Sequence, residues 1–498
     1  MRAFLCLAPM VLAACAASVA PLSAVPAPAP AAPVSAAPAP TIVLGADLVD
    51  ADLRYRPPAL DPARPWALPR EEDLGLPGGP RARLFERHEL PVVYGFVTVQ
   101  RRERSPATDM WLCGALLDAA GKGRPLREEL AALGATSWLS CNDDIFSVGL
   151  EVLASRIEPA VAAVAGALAG GVVSEERLAK VRERVASSFP GTPRSRVVRI
   201  LHEQLFTGKH GYHVPLFGSR AEVEKVTPAE VDKARARLGP DAVTLLLAGD
   251  VTPLAARGML ERVAAAWPAR ARSASGPARP RDDSKPVHGV LLLDEPEAKE
   301  VEIAVSLPIP PSDSGETAAV IALANVIRRR VIRLEAADGT KQWADPAVDL
   351  DRLTHASVLK ILGRVPRGGV SGAVGALLEV LEKIGAGEGP AADFAESYNI
   401  MEGWFAERFD GGSRLARRLD YRASLGLAAD HDERLRAAIA ALRPPRVVEA
   451  AKKHLRRDAL TVVVLGPAAA ETAALERLGL GKVIPIPPAT PAKKESAK

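Results

Sequence analysis

The chain has 498 residues, with 64 Lys and Arg against 60 Asp and Glu, a formal net charge of +4. That near-balance gives no electrostatic case for nucleic acid as a partner, and aromatic residues at 4% are too sparse for base-stacking platforms. The length allows two or more domains.

Arg2 followed by the apolar run FLCLAPMVLAA at 4–14 reads as a secretory signal, too short to cross a bilayer as a helix. Leu12-Ala13-Ala14-Cys15 resembles the lipobox of bacterial lipoproteins. The resemblance implies cleavage after residue 14 and acylation of Cys15. An ordinary secretory signal with a chance cysteine is the alternative. Ala16 in place of Asp implies sorting to the outer membrane, with lipid as the anchor and the body in the periplasm. Residues 15–45, rich in Ala and Pro, form a tether, and 46–79 an N-terminal extension. With Cys6 removed and Cys15 acylated, Cys113 and Cys141 remain. They can pair in an oxidising compartment or lie apart as buried apolar thiols.

The next elements read in chain order. PVVYGFVTVQ at 91–100 is a strand and 105–120 a helix. A short helix at 126–133 precedes strands at 135–140 and 145–153, joined as a hairpin around Asn142-Asp143-Asp144. Helices follow at 157–169 and 174–189. Further on, strands are expected at 290–293 and 301–307 and a helix at 316–337.

The chain also repeats itself. Asp241, Ala242, Thr244 and Gly249 recur 217 residues later as Asp458, Ala459, Thr461 and Gly466. Each copy, 227–263 and 443–478, reads helix, buried strand, Gly turn, helix. A period this long marks two tandem domains and not a solenoid. The expected boundaries are 80–268 and 287–482, with a polar linker at 269–286 and a loose tail at 483–498. The fold class is α+β, each domain a mostly antiparallel sheet with helices on one face.

TDMWLCGALLDAAGKG at 108–123 resembles the metal-binding helix of the pitrilysin/insulinase zinc peptidases, which include the mitochondrial processing peptidases. Active members carry His-x-x-Glu-His there, two imidazoles for Zn²⁺ and a carboxylate for its water. Here the positions are Trp111, Leu112, Cys113, Gly114 and Ala115. The segments 90–100, 126–153, 210–231, 243–251 and 387–399 resemble the same family in the same order. The family's third ligand, a Glu, would fall among Glu175, Glu176 and Glu183. Without the histidines these read as a solvated helix face. Active members also hold the substrate carbonyl with an Arg and a Tyr of the second domain. Arg333 is the candidate remnant, but its neighbourhood has no Tyr, and Trp343 cannot replace a phenol.

The resemblance therefore implies an inactive homologue that needs no cofactor. It would pair with an active peptidase subunit of the same family or hold an extended peptide. Half of a clam is expected, so dimerisation with a like-shaped chain follows. The rivals are an active zinc peptidase with a different site, for which zinc would be the cofactor, and a structural envelope scaffold. For the first, His202-Glu203 lacks its second His because Phe206 stands there, and His210 and His213 lack further ligands.

Overall fold

The computed structural model describes residues 66–487, except 102–104, 121–122, 190, 208–209, 211, 214–215, 269–270, 272–286, 337–338, 355 and 389–390. The signal, the tether and Cys15 lie outside the described residues, as does the expected linker apart from Ala271. Residues from Ala67 onward form one unit.

That unit holds two six-stranded sheets. The first is built from β1 (Glu72–Gly75), β2 (Arg81–Glu86), β3 (Val92–Gln100), β4 (Thr136–Cys141), β5 (Ile145–Leu153) and β6 (Val243–Gly249), in the order β1-β2-β6-β3-β5-β4. Among the described residues, β2 and β6 pair in parallel and the other neighbours in this sheet are antiparallel. The second comprises β7 (Gly289–Asp294), β8 (Glu300–Pro308), β9 (Ala344–Arg352), β10 (Ser357–Pro366), β11 (Thr461–Gly466) and β12 (Val483–Ile486), in the order β12-β7-β11-β8-β10-β9. The repeated strands β6 and β11 are both central and almost wholly buried, as unbroken Val/Leu runs should be.

Among the described residues, eight helices lie in the first half: α1 (Pro106–Asp109), α2 (Leu126–Ala132), α3 (Ile157–Gly170), α4 (Glu175–Ser187), α5 (Pro193–Leu205), α6 (Arg220–Lys225), α7 (Pro228–Ala236) and α8 (Pro253–Ala265). The second half carries α9 (Thr317–Ile332), α10 (Val370–Ala386), α11 (Ala391–Glu407), α12 (Gly411–Ser424), α13 (His431–Ala440), α14 (Pro444–His454) and α15 (Ala468–Glu476). Thr227 and Ser219 close capping boxes with Glu230 and Glu222, which fix the starts of α7 and α6.

Strand alternation sorts the two faces of the first sheet. Val93, Val97 and Val99 of β3 enter a core shared with Val161 and Val164 of α3 and Met259 and Leu260 of α8. Tyr94 and Thr98 point the other way. There Tyr94 meets Gly412, and Thr98 bonds Ser147, which donates to Asp420 Oδ1 at 2.7 Å. Both Gly412 and Asp420 belong to α12, from the other half of the chain. The reverse contact is made by α5. Its Val197, Ile200, Leu201 and Leu205 pack on Leu291, Leu293, Val463 and Leu465 of the second sheet. Arg194 Nε reaches Glu302 Oε1 on β8 at 2.7 Å. The repeat offset carries α5 onto α12, so the two halves exchange equivalent helices. Each mostly antiparallel sheet thus has its own helices on one face and one helix from the other half beneath it.

Three boundaries differ from the sequence reading. The first sheet begins at Glu72, inside the stretch set aside as an extension. The second continues past 482, because Val483–Ile486 is a strand parallel to β7 and not a loose tail. Pro485 is tolerated there because β12 is an edge. The helix expected at 316–337 stops at Ile332, after which Glu335 and Lys341 form a bridge.

Candidate functional site

The segment that resembles a metal-binding helix starts normally. Ser105 caps α1 by accepting from Thr108 N, and Pro106 sits in the first turn. The helix then widens into a π-helical stretch, Met110–Ala115, and ends in a 3₁₀ turn, Leu116–Asp118. The single α-helix expected over 105–120 is thus replaced by three windings. Met110, Trp111, Leu112, Gly114 and Ala115 are all buried. Cys113, partly exposed, is disulfide-bonded to Cys141 on β4, with Cα atoms 6.1 Å apart. A crosslink on one side and core contacts around the rest suit a helix wound by its surroundings more than by propensity.

Helix α4 supplies the opposing wall. Leu178, Val181 and Val185, at i, i+3 and i+7, turn inward and join the same core as Trp111 and Ala115. A Cβ added to Gly114 would stand 2.7 Å from Val181 Cγ1. Glu175, Glu176 and Glu183 are exposed, Glu176 and Glu183 on the opposite side of α4. Glu176 accepts from Lys180 at 2.8 Å, and Glu175 pairs with Arg182. Trp111 is fully buried, and its Nε1 has no hydrogen-bond partner among the described residues. The locus is therefore apolar and closely packed.

Nearby polarity is spent on holding the elements together. Asp109, buried, pairs with Arg101 and accepts from Phe217 N at 3.0 Å. Arg184 donates to Gly114 O at 2.7 Å and Arg177 to Asp118 O at 2.9 Å, so α4 satisfies carbonyls of the neighbouring windings.

The remaining candidates lie elsewhere. Arg333 caps the C-terminus of α9, 62% exposed, with Nη1 3.6 Å from Asp393 Oδ1 on α11. Asp393 also meets Arg330 at 3.0 Å and Arg329 at 3.8 Å. Trp343 is buried against Gly363 on β10. His202 meets Phe206 edge-on and His210 lies tilted against it, with ring centres 4.6 and 4.8 Å away. His213 Nδ1 lies 2.7 Å from Phe206 O. Burial raises the pKa of the neighbouring Glu203 carboxyl. Among the described residues no three or more His, Cys, Asp or Glu converge as metal ligands.

Sequence reasoning did not single out a group beneath the first sheet. Asp420 on α12 is held against Ser147, and burial raises its pKa. Arg418 Nε donates to Asp432 Oδ1 at 2.8 Å, Arg422 lies 3.3 Å from Asp432 Oδ2, and Arg422 also pairs with Glu71. The i, i+4 spacing of Arg418 and Arg422 on α12 was the available signal. Its meaning depended on partners as far away as residue 71.

No family model and no curated protein matches the sequence. Solved structures do. A peptidase M16 inactive domain from Pseudomonas fluorescens superposes with a TM-score of 0.71 at 17% identity, covering 80% of this chain and 98% of that one. A protease from Helicobacter pylori gives 0.65 at 16% identity, covering 80% and 100%. An M16-like peptidase from Alicyclobacillus acidocaldarius gives 0.64 at 13%, covering 80% and 98%. The fold is that of the M16, insulinase-type peptidases.

Proposed function

We propose that this chain is a catalytically inactive, insulinase-type protein that binds peptide or completes the chamber of an active homologue. One observation carries the reading. The positions where active enzymes place two histidines and a glutamate hold Trp111, Gly114 and Ala115, packed in an apolar core with Val181 against Gly114. Zinc needs several N, O or S ligands around an open position, and the inward face of α4 offers only aliphatic carbon. The fold shared with the Pseudomonas inactive domain supports the same reading. Strand edges that could pair with an extended peptide require no metal. The signal-like N-terminus supports a lipid anchor at Cys15 and a periplasmic body attached to the outer membrane.

The test is affinity capture of the tagged chain from gently solubilised membranes, read by mass spectrometry, with metal analysis of the purified protein. The expected result is a homologue with intact His-x-x-Glu-His, and no stoichiometric zinc or peptide hydrolysis by the chain alone. Stoichiometric zinc with hydrolysis would overturn the inactive assignment. Capture of unrelated envelope proteins only would overturn the partner role. For the anchor, Cys15→Ser should move the protein from the detergent phase to the aqueous phase, and unchanged partitioning would refute acylation.

A further inference from the structure

We infer that Arg352 and Arg408, gathered with the paired Arg418 around Tyr421, bind a compact oxyanion, the phosphate or carboxylate of a small ligand. The site is built from three elements: the end of β9, the residue after α11, and α12. The Arg408 guanidinium carbon lies 3.0 Å from the centre of the Trp404 ring and 5.8 Å from that of Tyr421. Arg418 stands 4.9 Å from the same Tyr421 ring. Arg352 Nη1 donates to the Tyr421 hydroxyl at 2.9 Å.

The charges at this place do not balance. Glu71 is taken by Arg83 and Arg422, and Asp432 by Arg418 and Arg422. Among the described residues no carboxylate pairs with Arg352, and no side chain hydrogen-bonds or ion-pairs with Arg408. Both are half-buried, so water cannot fully solvate them. Burial, then the charges of Arg418 and Arg352, push the Arg408 pKa down to about 9. The buried His431 is affected by the same Arg418 and Arg352 charges, and its Nε2 has no hydrogen-bond partner among the described residues.

A partly desolvated cation without a counter-charge is costly unless something supplies one. Guanidinium forks match phosphate and carboxylate oxygens in pairs, and an aromatic face behind the fork fixes its plane. Trp404 holds Arg408 in this way, while the phenol of Tyr421 adds a second polar group beside the cations. The inference is independent of the peptidase-like reading of residues 110–115.

The test is titration calorimetry of the full chain in detergent with inorganic phosphate and, separately, succinate, each at constant ionic strength set by chloride. Saturable binding at one site per chain is expected for at least one, and which of them binds assigns the phosphate or the carboxylate. Arg408→Gln should weaken that binding by about ten-fold or more, the loss of a charge-assisted pair, without lowering the melting temperature. Should Arg408→Gln fail to fold, Arg352→Gln carries the same expectation. Absence of saturable binding by either anion, or binding that survives both substitutions, would overturn the site.

Discussion

His431 shows how far one buried side chain departs from its ordinary chemistry. It is 4% exposed. Burial, followed by the charge of Arg418, pushes its pKa from 6.5 down to about 4, with Asp432 opposing and Arg434 and Arg352 adding. Between those values the unfolded chain binds a proton that the folded protein refuses. Stability must then fall as pH drops from 6.5 toward 4, with about 2 kcal/mol lost from this residue by pH 5. Asp420 acts in the opposite sense. Its carboxyl is raised by burial, so its contribution is greatest in acid and fades as pH rises through its folded pKa. Urea unfolding at pH 7 and pH 5 separates the two. His431→Gln should flatten the acid loss, and an unchanged slope would place its cause elsewhere. Neither residue was legible in the sequence. Burial of His431 and Asp420 is decided by elements far away in the chain, as the pairing of Arg422 with Glu71 across 351 residues illustrates.

At the scale of the element, the segment 105–120 is held by packing and a crosslink. The Cys113–Cys141 bridge joins residues 28 apart. Replacing both with Ser should cost about 3 kcal/mol, read as a lower denaturant midpoint. An unchanged midpoint would mean that packing alone holds the segment to β4. Gly114→Ala puts a methyl group 2.7 Å from Val181 Cγ1 and should cost about 1–3 kcal/mol. The double variant with Val181→Ala should recover part of this, and failure to do so would place the strain elsewhere. The repeated strands and the hairpin at 136–153 were legible, because alternation and unbroken apolar runs report burial directly. The π winding was not. Composition marks Met110, Trp111 and Leu112 as core residues but says nothing of how many residues each turn takes up.

Across the whole molecule, the exchange of α5 and α12 makes each sheet depend on the other half of the chain. Calorimetry should show one unfolding transition. Fragment 66–268 expressed alone should not reach a cooperative fold, and co-expression with 287–487 should rescue it. Two resolved transitions, or a folded lone fragment, would show that the exchanged helices are dispensable. The duplication at Asp241 and Asp458 made two halves legible. The exchange was not, because the apolar stripe of Val197, Ile200, Leu201 and Leu205 shows that α5 has a buried face without naming the surface it meets.

The exchange also sets an order of events during synthesis. The last strand of the first sheet ends at Gly249, yet the helix that covers its second face begins at Gly411. At ordinary translation speeds the intervening residues take roughly ten to thirty seconds to emerge. Throughout that interval the side of the sheet bearing Tyr94, Phe96, Leu246 and Ala248 has no lid. Whether the chain emerges from the ribosome or across a membrane, its topology leaves that apolar surface bare until α12 arrives to cover it.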